Sequence, residues 1–200
     1  MNRLQTALAD IGKLLDQKGA GWALVGGIAV SVRAEPRFTR DVDLAVAVES
    51  DREAERLVGD LREAGYEILE TVEQETTGRF ATARLLPPGG DPGGVIVDLL
   101  FASSGIEPEV VATAEPLEVL PGLTVPVAGL PELIALKLLA RDDGARPQDA
   151  GDLLALAPLA TARDFESVRQ LLHLIEDRKY HRGRDLSGEL DRLETGGQHT

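Results

Sequence analysis

The chain has no cysteine, which excludes disulfides, thiolate zinc sites and cysteine nucleophiles; any metal must be held by oxygen or imidazole. The histidines are few and scattered: His173, His181 and His199 show no H-x-x-x-H spacing, so no zinc site is expected, and His173 reads as packing on its helix. Basic residues are also scarce, 21 against 34 acids for a net charge of −13, which argues against a general affinity for nucleic acid. A nucleic-acid substrate would need a local basic patch. No apolar run approaches the length of a membrane span. The first residues, "MNRLQTALADIGKLLDQKG", place Leu4, Leu8, Ile11, Leu14 and Leu15 at helical spacing with charges between them, unlike a signal peptide. The cytoplasm is the expected location.

What remains is ordinary globular material, 43% hydrophobic and 28% charged, so the chain is expected to fold. Its 200 residues suit one sizeable core, or an α/β domain with a smaller helical attachment.

The pattern alternates between strand and helix over the first part. "WALVGGIAV" reads as a strand, a Gly-Gly turn and a helix. "DVDLAVAV" alternates strictly, with Val42, Leu44, Val46 and Val48 on one face and Asp41, Asp43, Ala45 and Ala47 on the other. "SDREAERLVGDLREAG" is a helix capped by Ser50 or Asp51 and stopped by Gly65. "YEILE" and "RFATARLL" read as strands, "PPGGDPGG" as a loop, and "VIVDLLFA" as a central strand interrupted only by Asp98. "EPLEVLPGLTVPV" is a predicted hairpin whose second strand, carrying Pro126, is expected at an edge. From Leu130 onward the pattern is helical, which places a subdomain boundary near residue 128, with a helical subdomain over 129–200. The end, "TGGQHT", is expected to fray.

Two acids at i and i+2 on a strand project side by side, roughly 6.5 to 7 Å apart. Asp41 and Asp43 do so where a packed strand would want apolar residues. Such a pair suits magnesium, a hard cation that takes oxygen ligands and shares its coordination with phosphates, and two such ions can clamp a phosphoryl transfer. The plain alternative is a solvated sheet face. Gly26 and Gly27, followed by a helix, offer free backbone N–H groups and close approach to a polyphosphate, or form a simple turn. Arg37 and Arg40 precede the acids, and phosphate binding, pairing with an aspartate and exposure to solvent are all open to them.

The order "LVGGIAVSVRAEPRFTRDVDLAV" resembles the first motif of the polymerase β-like nucleotidyltransferase superfamily, in which a glycine turn, a helix and a D-x-D strand follow one another. "LPELIALKLLARDDGARPQDAGDLLAL" resembles a helical motif of the AbiEii/MenT-type nucleotidyltransferase toxins, a helical lysine followed by an Arg-x-x-Asp-x-x-Asp run. The resemblance implies an α/β (α+β) fold, a mixed sheet flanked by helices over 1–128, with the helical subdomain completing the active site.

The resemblance also implies roles. Gly26 and Gly27 match the phosphate turn, Asp41 and Asp43 the metal pair, and Lys137 the lysine that contacts the triphosphate. Asp152 matches the last acid of the toxin motif, near the nucleotide; Asp149 could instead cap the helix or pair with Arg146 or Arg141. Asp98 matches the third carboxylate, which helps hold a catalytic metal or draws the proton from the attacking hydroxyl. Thr39 matches the hydroxyl residue that antitoxins phosphorylate in some related toxins. The implied activity is a magnesium-dependent transfer of a nucleoside monophosphate, from CTP or UTP, to the 3′ end of tRNA, blocking aminoacylation and restrained by a cognate antitoxin. Within the superfamily the acceptor is alternatively a protein side chain or a small molecule, and a non-catalytic nucleotide- or partner-binding module is the remaining class.

The basic patch that RNA would require has one candidate, "RKYHRGR". Arg178, Lys179, Arg182 and Arg184 would guide the phosphate backbone and Tyr180 would stack, unless the segment is a solvated turn between helices.

Overall fold

The structure, a computed structural model, describes residues 3–91, 93–141 and 147–196. Arg146 and the last residues of the expected frayed end, 197–200, lie outside them. Helix α1 (Arg3–Gln17) buries Leu8, Ile11 and Leu15, the stripe that its spacing predicts. It lies against β1 (Gly21–Val25) so closely that a Cβ on Gly12 would stand 2.8 Å from the Trp22 ring. The indole N–H of Trp22 donates to Asp16 at 2.8 Å, which satisfies the one polar atom of a buried ring.

The chain passes without a loop from β1 into α2 (Gly26–Arg33), then to β2 (Asp41–Ala47), α3 (Asp51–Glu63), β3 (Glu67–Glu73), β4 (Phe80–Leu86) and β5 (Ile96–Leu100). Helix α4 (Glu107–Ala112) has no counterpart in the sequence pattern, being too short to show a period. The buried Glu107 holds its start, accepting from the backbone N–H groups of Ser103, Ser104 and Gly105. The hairpin β6 (Glu115–Leu120) and β7 (Leu123–Val127) ends the sheet, and α5 (Leu130–Ala140), α6 (Pro147–Leu156), α7 (Ala162–Asp177) and α8 (Leu186–Gly196) follow. A reciprocal capping box between Thr161 and Asp164 starts α7.

The strands form one mixed sheet in the order β3-β4-β5-β2-β1-β7-β6. Pro126 is therefore not on an edge strand, contrary to expectation: β7 lies between β1 and β6. The proline is tolerated because β7 meets β1 in register only at Leu24↔Val127, and across β6 its partner is Pro116. His173 likewise departs from its expected packing and is exposed on α7.

Both faces of β2 are covered. Val42, Leu44 and Val46 are fully buried on one. On the other, Ala45 is buried and Ala47 partly so, and Gly21, beside Ala47, is close enough to α4 that an added Cβ would stand 3.1 Å from Val111. Small side chains let a helix lie over that end, so only the Asp41 end of the face stays open. Apolar residues from Leu8 to Leu190, on both sides of residue 128, join one buried cluster. Among the described residues, no helix is long and apolar enough to cross a membrane.

Tyr180, between α7 and α8, is buried against Gly105, which has φ +77°; a Cβ there would stand 2.5 Å from the ring. Gly105→Ala is expected to destabilise the protein by more than Gly78→Ala. Both alanines would bear the roughly 1–2 kcal/mol of a left-handed backbone, but Gly78 has open space around it. Equal urea-denaturation midpoints for the two variants would count against this packing role for Tyr180.

Candidate active site

Strand register assembles the carboxylates. Asp43 faces Val25 of β1 on one side and Asp98 of β5 on the other, which places it where β1 runs into the glycine turn. Asp41 is exposed and Asp43 half-buried. Burial, with Asp98 adding repulsion, pushes the Asp43 carboxyl from 3.8 up to about 6, although Lys137 and a hydrogen bond from the Gly27 N–H pull the other way.

The glycines are set by this geometry. At Gly26, φ is +65° and a Cβ would fall 1.9 Å from Asp43 Oδ2. At Gly27 it would fall 2.8 Å from Arg37 Nη2 and 3.0 Å from Thr39 Oγ1. A side chain at either position would displace a site residue. The turn thus brings the start of α2 against Asp43, Arg37 and Thr39 together.

The other half comes from the helical region. Helix α5 is apolar almost throughout and packs among α2, α6, α7 and α8. Lys137 leaves it to place Nζ 2.6 Å from Asp149 Oδ1 and 2.8 Å from Asp152 Oδ2, both acids lying one turn apart on α6. Arg37 approaches Asp152 from the loop after α2 as a fork, with Nε 2.6 Å from Oδ1 and Nη2 2.9 Å from Oδ2. Of the partners open to Arg37, the structure gives it Asp152 rather than Asp41 or Asp43. Asp149 meets Lys137, which is neither of its expected partners, Arg141 and Arg146, and Arg146 is outside the described residues.

Arg84 has a role that the sequence reading missed. From β4 it holds Asp98 bidentately, Nε to Oδ1 at 2.9 Å and Nη2 to Oδ2 at 2.8 Å, with the two residues in register across the sheet. The sequence held only part of the signal: in "RFATARLL" Arg84 stands between the buried Ala83 and Leu85, but its pairing with Asp98 comes from the register of β4 against β5.

The basic segment after α7 is largely turned toward the protein. Arg178 pairs with Glu109 at 2.7 Å, Arg182 donates to the Ser103 carbonyl at 3.2 Å, and Arg184 donates to the carbonyls of Leu139 and Arg141. Lys179 is exposed, but Tyr180 is buried and has no face for a base, which corrects its expected stacking role. The segment clasps α4 to the end of α5, so the positives that suggested RNA binding already serve as structural contacts.

The sequence model of the AbiEii nucleotidyl transferase toxin, a type IV toxin–antitoxin system, matches residues 12–197. The chain belongs to that family. An antigenic nucleotidyltransferase-like protein from Paracoccidioides brasiliensis has a similar structure, with a TM-score of 0.53 and 22% identity over 94% of this chain and 92% of its own. JHP933 from Helicobacter pylori has a TM-score of 0.48 and 17% identity over 98% and 89% of the two chains. The antibiotic-resistance factor ANT(2″)-Ia has 0.48 and 19% over 97% and 90%. No curated protein matches the sequence. The fold is that of nucleotidyltransferase-like proteins, and the AbiEii family makes this chain a nucleotidyltransferase.

The donor set of this AbiEii chain fits one hard cation. Asp41 and Asp43 share a face, and the raised Asp43 carboxyl marks a negative charge that the protein itself under-compensates. Asp98 is the less available third ligand, because Arg84 takes both its oxygens. Among the described residues, no group of three His or acidic side chains comes together as a metal cluster.

Since the folded Asp43 binds its proton more tightly than the unfolded chain does, its contribution to stability falls as pH rises from 3.8 through about 6 and stays lost above. In metal-free buffer at pH 7.5, Asp43→Asn is therefore expected to be more stable than the wild type, by on the order of 1–3 kcal/mol. The gap should close below pH 4, and chemical denaturation at the two pH values measures it. A variant less stable at pH 7.5 would show that burial does not strain this carboxylate.

Proposed function

We propose that this AbiEii-family protein is a magnesium-dependent, cytoplasmic toxin that transfers a nucleoside monophosphate from CTP or UTP to the 3′ end of tRNA. The acceptor oxygen would bond to the α-phosphorus, the bond to the β-phosphate bridge would break, and pyrophosphate would leave. The extended tRNA could not be aminoacylated and translation would stop. The observation behind this reading is the convergence of Gly26, Gly27, Asp41 and Asp43 with Lys137 and Asp152, from separate parts of the chain, at one end of the central strands β1 and β2.

In this reading residues 1–128 supply the turn and the acids, and residues 129–200 close the site. Asp41 and Asp43 would hold magnesium, which neutralises triphosphate oxygens when bound. Lys137 would receive the phosphates as a point charge beside the start of α2, where the Gly27 N–H is already given to Asp43. Asp152 would act through others, fixing Lys137 and Arg37 so that neither has to be ordered when nucleotide arrives. Asp98, oriented by Arg84, retains a lone pair on each oxygen to accept the proton of the attacking hydroxyl.

Restraint by the cognate antitoxin would act at Thr39. Its hydroxyl lies beside Gly27, and phosphorylation would add roughly −1.5 to −2 of charge where the triphosphate has to enter. A Thr39→Val toxin is expected to resist this form of neutralisation; inhibition through phosphorylation that is unchanged in the variant would rule Thr39 out.

One observation favours a second reading. Because Arg178, Arg182 and Arg184 are used within the chain, RNA contact at that segment would compete with existing bonds, and a protein side chain or small molecule would not need it. Incubation with magnesium, each labelled triphosphate, and tRNA or cell extract separates the readings. Label is expected in RNA, from a pyrimidine triphosphate, and to fall at least a hundredfold with Asp41→Ala, on the order seen when transition-state charge stabilisation is removed. Label in protein or a small molecule supports the second reading, and no label in any fraction supports a binding module.

A further inference from the structure

A second surface borders the catalytic acids. A groove of about 400 Å³ runs along the loop before β2, with Phe38, Arg40 and Asp41 on one side and Gly93, Gly94 and Gln148 on the other. It touches the acids at Asp41 and includes neither Gly26, Gly27 nor Lys137, although Arg37 and Thr39, which flank Gly27, also line it. The groove and the glycine turn thus adjoin at Arg37 and Thr39, and Phe38 lies in the groove.

Phe38 is 79% exposed, the most exposed large apolar side chain among the described residues, and the Arg40 guanidinium lies over its ring at 5.4 Å. Among the described residues no carboxylate pairs with Arg40, which is unusual in so acidic a chain. A single exposed phenylalanine needs no explanation. A phenylalanine and an arginine facing each other at the mouth of a groove, one residue from a catalytic acid, are the two planar groups on which an unstacked nucleobase rests. The opposite wall offers glycines, leaving room for a flat group, and the volume suits a single nucleotide.

We infer that Phe38 and Arg40 form a stacking platform for the terminal nucleobase of the acceptor, which brings its hydroxyl to Asp41. The inference rests on the proposed polynucleotide acceptor. It makes that acceptor single-stranded at its end, since a base within a duplex has no free face. The groove also gives RNA a contact that the basic segment after α7 does not supply.

The platform separates acceptor from donor. Phe38→Ala is expected to raise the KM for tRNA roughly tenfold or more, with the KM for the nucleoside triphosphate unchanged and Phe38→Tyr restoring the wild-type value. An equal rise for the triphosphate would assign the ring to the donor base, and no change in either would remove it from the site; both overturn the inference.

A binding measurement without turnover completes the test. In Phe38→Trp the new indole is exposed whereas Trp22 is buried, so its fluorescence should be quenched by a single-stranded oligoribonucleotide ending in CCA and not by a blunt duplex. Lack of quenching overturns the platform even if tRNA proves to be the acceptor. Quenching supports it even if the label in the transfer assay appears elsewhere, so the two readings fail separately.

Discussion

The carboxylate of Asp152, only 2% exposed, is the point on which the site depends. It receives Lys137 from α5 and a two-pronged Arg37 from the loop between α2 and β2, and so ties the helical half to the strand that carries Asp41 and Asp43. A buried charge of this kind is sustained only by its partners; removing one typically costs about 3–5 kcal/mol because the other is left uncompensated. The same contact sets the position of Arg37, against which Gly27 packs, and through it the shape of the turn. A single buried acid thus determines where both cations stand, although no part of it lines the open groove.

The first half of the chain was readable because its signals are local. Alternation located β2 and put Asp41 and Asp43 on one face, a glycine pair marked the start of α2, and Gly65 ended α3. The helical half was readable as helices, but the meaning of Lys137 and Asp152 came only through resemblance, because a lysine on an apolar helix and an acid on the next one are unremarkable by spacing. Long-range pairing was out of reach. That Arg84 faces Asp98 depends on the register of β4 against β5, and that Arg178 and Arg184 clasp the core depends on where α7 ends relative to α4. Pro126 was misplaced for the same reason: whether a strand is an edge is a property of its neighbours, not of its own residues.

The composition of the sheet face also explains why the site is open at only one end of that face. Ala45 and Ala47 follow Asp43 on the same face, and their small side chains, with Gly21 alongside, let α4 lie over that part of the strand. Larger residues there would hold α4 away and leave the acids on a broad solvated face, where a metal and a triphosphate would compete with water along its whole length. With that end covered, Asp41 and Asp43 are reached only from the glycine turn and from the groove beside Phe38.

Charge is distributed unevenly around this opening. Asp149 and Asp152 are matched by Lys137 and Arg37, and Asp98 by Arg84, so those acids are compensated within the protein. Asp41 and Asp43 form no ion pair among the described residues; Lys137 acts on Asp43 and Arg84 on Asp41 only at a distance, and burial, with repulsion from Asp98, raises the Asp43 carboxyl. The deficit therefore lies on the two residues that would take a divalent cation, and an incoming triphosphate, itself an anion, would be repelled until that cation was present. Thr39 lies beside the same deficit. A phosphate there could not recruit Arg37, which is already committed to Asp152, and Arg40, one residue on, would offset only part of its roughly −1.5 to −2 of charge at the entrance. In the proposed reading, the arrangement that would make the site depend on a metal is the one that would make it sensitive to a single added phosphate.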